Sequence, residues 1–180
     1  GVRYALFHYT TGDTAGGYAD FGQFSVDEPH PRGLTQPIPV GQRVRLATIG
    51  EDAVLVVHDG VVMAVPAVDP LARGDAARFT VVDRGRGRIA LQLGSAYVSV
   101  TAPAASGEVR LRAGEPTDAE TFQWTETPYG DLLLLSLVTH RHLRAAPGSG
   151  GVSADHSGPR SDRRDGSCLQ WHVDEDNEPR

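Results

Sequence analysis

Residues 120–125 read ETFQWT, and the same small phrase stands at 77–82 as ARFTVV and at 167–172 as SCLQWH. Laid under one another, Phe79, Phe122 and Leu169 align, with Val81, Trp124 and Trp171 two places further on. Two places is the period of a β-strand, whose alternate side chains share a face. Each phrase therefore reads as a strand that sends two large side chains into a core. The phrases lie 43 and 47 residues apart, a spacing that marks a repeat architecture and bears on the fold before any single motif does.

Upstream of each phrase sits another alternating stretch: RVRLATI (43–49), RIALQL (88–93) and LLLLSLV (132–138), with Leu46, Leu91 and Leu135 as anchors. Between these ends each unit carries two inner stretches, VLVV and VVMAV, AYVSV and EVRLRA, RHLRAA and GVSADHS, separated by Gly, Ser, Asp and Pro. Period-2 runs broken by such residues are strands joined by turns. Three units of four strands fit an all-β chain with the β-trefoil architecture, a six-stranded barrel closed at one end by three hairpins. A propeller is disfavoured, because propellers use about four to eight blades. The reading places Phe79, Phe122, Trp124, Leu169 and Trp171 in one core and leaves SGPRSDRRDGS (157–167), where the third unit is longer, as a polar surface loop.

Composition narrows the function classes. The chain has 180 residues with 39% hydrophobic and 22% charged, the balance of an ordinary globular protein. Its longest apolar run, LLLLSLV, is far short of the ~20 residues of a membrane helix, so no membrane partner is expected. All seventeen basic residues are arginine, set among twenty-three acids for a net charge of −6, which argues against nucleic acid. The single cysteine, Cys168, has no partner for a disulfide or at zinc spacing. The domain reading is 1–28 for two aromatic-rich strands, 29–42 for a connector containing Pro29, Pro31, Pro37 and Pro39, 43–173 for the trefoil and 174–180 for an acidic tail. The hairpin is expected to need a partner sheet, since isolated hairpins are marginal.

Two resemblances follow from quoted residues. GVRYALFHYTTGDTAGGYADFGQFSVDEP resembles the closing strands of the concanavalin-like β-sandwich behind the five-bladed catalytic propeller of glycoside hydrolase family 43, the β-xylosidase and arabinofuranosidase group. Gly1, Arg3, Tyr4, Leu6, Phe7, Gly16 to Phe21, Phe24 and Val26 carry the likeness, while Gly22 stands where the family has Asp. Residues 43–173 resemble the fascin-like or carbohydrate-binding trefoils appended to secreted members, most clearly in LLLLSLVTHRHLRAA. The resemblance implies a bacterial, secreted, non-catalytic module that holds plant cell-wall polysaccharide such as xylan or arabinan beside the catalytic and sandwich domains. Two alternatives stand beside it: that the parent's xylosidase or arabinofuranosidase activity is the relevant function, or that the trefoil braces the sandwich and binds nothing. The family's catalytic acids lie on the propeller, so none is assigned here, and no cofactor or metal is expected.

The acids in this chain read as solvated loop charge rather than a catalytic pair about 6.5–9.5 Å apart. Sugar recognition calls for an aromatic face with planar hydrogen-bonding groups. Trp124 and Trp171 fall on the core phase, and adjacent Gln123-Trp124 and Gln170-Trp171 differ from the Gln-x-Trp of ricin-type lectins. The candidate ligand positions are His58 and Asp59 in the first unit, Tyr97 in the second, and His142, Asp155 and His156 in the third. His142 aligns with Tyr97, and THRH is expected to set His140 and His142 on one strand face.

Overall fold

In the computed structural model of the chain, the residues described are 37–49, 53–101, 107–146 and 150–174. The hairpin expected over 1–28, most of the connector over 29–42 and the tail beyond 174 lie outside them. Among the described residues twelve strands occur in chain order: β1 (Arg43–Thr48), β2 (Ala53–His58), β3 (Val61–Pro66), β4 (Phe79–Gly85), β5 (Arg88–Leu93), β6 (Ala96–Val100), β7 (Val109–Ala113), β8 (Phe122–Glu126), β9 (Leu132–Ser136), β10 (His142–Ala145), β11 (Val152–His156) and β12 (Leu169–Val173). Each falls on one of the alternating stretches. In β1 the alternation is plain, with Val44, Leu46 and Thr48 buried and the residues between them partly or fully exposed. No helix among the described residues is long and apolar enough to cross a membrane.

Six strands pair in a closed antiparallel cycle: β1 with β4, β4 with β5, β5 with β8, β8 with β9, β9 with β12, and β12 with β1. Closure leaves these six without an open edge. The others form the hairpins β2–β3, β6–β7 and β10–β11. The hairpins touch one another through Val61 opposite Arg110, Met63 opposite Gly151 and Glu108 opposite Ser153.

The core is built from the phrase that opens the sequence reading. Phe79, Phe122 and Leu169 are fully buried, together with Leu46, Ile89, Leu91 and Leu134. Two places on, Val81 and Trp124 are also buried, but Trp171 is only half covered. It packs on the margin of the core, where Ile38, Trp124 and Leu132 line a small gap with it. Residues 37–42 run against β4: the Gly41 N–H donates to the Val81 carbonyl at 2.7 Å and the Val81 N–H to the Gln42 carbonyl at 3.0 Å.

Two expectations need correction. The anchor of β9 is Leu134, not Leu135. Leu46 faces Trp171, Leu91 faces Val81, and in the same relation Leu134 faces Trp124. Four consecutive leucines offer no alternation from which to choose a phase, and only the pairing with β8 sets it. The 157–167 loop is exposed over its first half, but Asp165, Gly166 and Ser167 are buried. Arg163 Nη1 reaches both oxygens of buried Asp131, at 3.1 and 2.9 Å, and the Arg163 Cζ lies 4.5 Å from the centre of the Tyr129 ring. The loop is thus fastened to the β8–β9 turn by a partly buried ion pair.

Candidate functional site

The strand registers define three matching positions away from the central core. Ala47 on β1 faces Val54 on β2, which faces Val65 on β3. Gln92 faces Tyr97, which faces Arg112. Leu135 faces His142, which faces His156. His142 and Tyr97 therefore occupy the same register position in their strands, and Val54 is their counterpart on β2. At each position the chain between a hairpin and the following strand lies over the paired side chains, and the three coverings differ in chemistry.

The first covering is apolar. Val54, Val56 and Val65 pack with Ala72 and Ala77 from two 3-10 turns, Pro70–Arg73 and Asp75–Ala77, with Leu71 and Met63 at the margin. Asp69 starts the first turn by accepting the Leu71 N–H at 2.8 Å, and Pro70 follows at the first position, where its missing N–H costs nothing.

The second covering is ionic. Glu120 ends the 3-10 turn Asp118–Glu120 and is fully buried. It accepts from Ser99 Oγ at 2.6 Å and from the Thr117 N–H and Oγ1 at 2.7 Å each, and Arg112 Nη1 lies 3.2 Å away. Burial raises the carboxyl's pKa, but the bonds from Ser99 and Thr117, with the Arg112 charge, outweigh it and hold the group below its usual range. The acids were expected to be solvated; this one is a structural exception.

The third covering is built around imidazoles. His142 and His156 face each other on β10 and β11, both half-buried, and the register shifts next to them, as at a β-bulge. Asp165 lies beneath, 3.7 Å from His156 Nε2. It accepts from the Ser167 Oγ at 2.5 Å, the Ser167 N–H at 2.9 Å and the Arg160 N–H at 2.6 Å. Burial would raise Asp165, yet these bonds and the nearby His156 hold it low. Burial pushes the His142 imidazole below its ordinary value, reinforced by His156 and opposed by a bond with the His156 backbone and by the Asp165 charge. Its Nδ1 and the Arg144 Nε have no hydrogen-bond partner within the protein. Beside them Ser153 Oγ donates to Asp155 Oδ1 at 2.7 Å, and Arg144 Nε stands 3.6 Å from the same oxygen.

Of the six candidates, the structure brings His142, His156 and Asp155 into one hairpin. His58 and Asp59 sit apart at the β2–β3 turn, both well exposed, with His58 Nε2 3.5 Å from Asp59 Oδ2. Tyr97 lies on β6, half-buried between Gln92 and Arg112. His140 does not share a strand face with His142. It occupies a turn before β10 with φ of 51°, its N–H bonded to the Ser136 carbonyl, because the strand begins only at His142. Among the described residues, no group of three or more His, Cys, Asp or Glu is placed to hold a metal ion. Burial pushes the Cys168 thiol up to about 11, with the Asp131 and Asp165 charges adding to it. It stays protonated and unreactive at neutral pH.

The sequence reading missed Glu120, Arg144, Asp165 and Ser167. Two of them carried a signal. Thr117-Asp-Ala-Glu120 has the spacing of a capping box, and both of its bonds form. Asp165-Gly-Ser167 is an Asx-type turn, in which the carboxylate takes the N–H two residues on.

A family model described as a domain of unknown function (DUF3459) matches residues 68–135. No curated protein matches the chain. Solved structures do. The designed 3-fold symmetric protein ThreeFoil superposes with a TM-score of 0.62 at 16% identity, over 73% of this chain and 98% of that one. The Polyporus squamosus lectin, solved bound to the human-type influenza-binding epitope Neu5Acα2-6Galβ1-4GlcNAc, gives 0.61 at 12% identity, over 76% of this chain and 50% of the lectin. The GlcNAcα1-4Gal-releasing endo-β-galactosidase of Clostridium perfringens gives 0.61 at 10% identity, over 79% of this chain and 35% of the enzyme. At such identities the likeness is one of fold: the chain is mostly β, and its structural neighbours are trefoil-like lectins and toxins.

Proposed function

We propose that the chain is a β-trefoil of three four-stranded units that serves as a non-catalytic carbohydrate-binding module. On this reading it belongs to a secreted glycoside hydrolase of the family 43 type and holds plant cell-wall polysaccharide near the parent's catalytic and sandwich domains. Tethering of this kind raises the effective substrate concentration without new chemistry. The lectins and the glycosidase among the structural neighbours support carbohydrate binding in general. The resemblance of residues 1–28 to the family 43 sandwich supports the parentage.

One observation carries the choice of site. Of the three matching positions, the first is closed by apolar side chains and the second sets Tyr97 beside an Arg112 engaged by buried Glu120, whereas the third sets two partly buried imidazoles, one with an unpartnered Nδ1, beside Arg144 and Asp155. Planar donors and acceptors with unused capacity are what a sugar's hydroxyls engage, and a shallow site gives weak binding after the ordering costs of association. The test is a chemical-shift titration of the whole chain with xylan, arabinan and galactan oligosaccharides. Shifts confined to β10 and β11, abolished in His142→Ala, are expected. Silence with all three sugars would overturn the reading and favour a bracing role.

A further inference from the structure

A row of polar residues crosses the sheet on strands other than those of the imidazole pair. Arg43 on β1 faces Thr80 on β4, Thr80 faces Gln92 on β5, Gln92 faces Tyr97 on β6, and Tyr97 faces Arg112 on β7. Residues directly opposite in a sheet project to the same side, so five strands present one continuous outward row. Its first half forms the wall of a depression of 630 Å³, to which Asp75 and Arg78 contribute from the 3-10 turn side. That volume is in the range of small-molecule sites, about 300–1,000 Å³.

Two guanidinium groups converge there on a single oxygen. Arg43 Nη2 lies 2.9 Å and Arg78 Nη1 3.3 Å from Asp75 Oδ1. Arg78 is also held from behind, its Nε 2.7 Å from Asp174 Oδ2, and that carboxylate is almost covered, at 10% exposure. Its position therefore does not depend on Asp75. The Asp75 side chain is 84% exposed, and an exposed ion pair of this kind contributes little against water. Asp75 thus occupies a two-arginine carboxylate seat that it holds only loosely. Along the wall, Gln92 Nε2 is committed to the Gly94 carbonyl at 3.0 Å, which leaves the amide oxygen as an acceptor. The Thr80 hydroxyl, the apolar faces of Leu93 and Ala76, and then the Tyr97 ring follow.

We propose that this depression is a second site, one that takes an acidic saccharide. A uronate carboxylate replaces that of Asp75 between Arg43 and Arg78, the sugar hydroxyls meet Gln92 and Thr80, and the next ring lies toward Tyr97. A neutral sugar has no group for the paired guanidiniums, and a bare anion has none for the amide, hydroxyl and aromatic surface. The site does not depend on the imidazole reading, and the two fail separately.

The probe is an oligogalacturonate, titrated calorimetrically against the whole chain beside a neutral galactan fragment of equal length and sodium acetate. Expected are binding of the oligogalacturonate that weakens with added salt, no heat with the neutral fragment beyond what His142→Ala abolishes, and no competition by acetate at equal concentration. Asp75→Asn removes the competing carboxylate and should tighten binding by up to about fivefold. Arg78→Gln should weaken it by about tenfold or more, with a thermal melt to verify folding. Tyr97→Ala should weaken only oligomers of two or more residues, and His142→Ala should change nothing. Absence of oligogalacturonate binding, equal competition by acetate, or weaker binding in the folded Asp75→Asn variant would each overturn the proposal. Loss of neutral-sugar shifts in His142→Ala with uronate binding intact would leave both sites standing.

Discussion

The outer position at Val54 and Val65 and the one at His142 and His156 have the same strand geometry and opposite chemistry. Both are paired positions on a hairpin, and both lie under the segment that leads to the next strand of the closed cycle. At the first, valine meets valine beneath Ala72 and Ala77, and the burial of apolar surface is the whole of the interaction. At the third, two imidazoles lie over a carboxylate already engaged by Ser167 and Arg160. Since an apolar filling holds this geometry, the polar one is not required by the fold. Half-buried histidines lose hydration without full pairing, a cost that the valines do not carry. The difference separates what closes the structure from what is left over for recognition.

The sharpest way to break the comparison is to remove the covering on the third side. Gly166 has φ of 82°, and a Cβ built there falls inside van der Waals contact of the Ala145 carbonyl oxygen. The Ala145 N–H donates back to the Gly166 carbonyl at 3.0 Å, so neither backbone is at liberty to move away. Gly166→Ala should therefore destabilise by more than about 4 kcal/mol on urea unfolding. A change under about 1 kcal/mol would show that the loop is not fastened as described.

The middle covering predicts a smaller loss. Glu120→Ala leaves the Ser99 hydroxyl and the Thr117 N–H without their acceptor in a dry place, at about 1–3 kcal/mol for each buried donor. Unfolding in urea should register about 2–4 kcal/mol in all. A neutral result would mean that water enters and replaces the carboxylate.

The smallest expected effect is a pH dependence confined to the third segment. Burial lowers the folded-state pKa of His142 below its ordinary value of 6.5, so the unfolded chain binds the proton more readily. Stability is then fully present above about pH 6.5 and is lost as pH falls below it. Glu120, Asp155 and Asp165 are shifted below 4.5, 3.8 and 3.8 respectively, so their contributions persist until pH falls past those unfolded values. Melting midpoints should fall between about pH 7 and pH 5 in the wild type and fall less in His142→Val. Equal slopes in the two proteins would remove His142 as the cause.

How much of this was legible depended on alternation. Most strands and the central core came from period-2 runs, and the twelve described strands lie on the stretches read as strands. Where alternation failed, the reading failed with it: Leu132 to Leu135 gave no phase, and Trp171 followed the core phase yet lies partly buried at a margin beside a small gap that Ile38 also lines. Charge was the harder category. Glu120 and Asp165 look like loop acids because their buried partners are hydroxyls and backbone N–H groups, which composition does not reveal. The capping-box spacing at 117–120 and the Asp-Gly-Ser turn at 165–167 were the local signs available. In the carboxylate seat only the Asp75–Arg78 pair, three residues apart, is local; Arg43 reaches it because β1 and β4 are neighbours, which no local spacing shows.

The most direct test of the division between closing and recognising positions is to make the third position resemble the first. The double variant His142→Val/His156→Val replaces the imidazole pair with the residues found at Val54 and Val65. Its thermal melt and its titration with arabinoxylan oligosaccharides should be read together. The account predicts a folded protein at least as stable as the wild type at neutral pH, with the neutral-sugar shifts at β10 and β11 gone. A variant that unfolds would show that the imidazoles hold the structure, and a folded variant that still binds neutral sugar would show that they do not recognise it; either result contradicts the account.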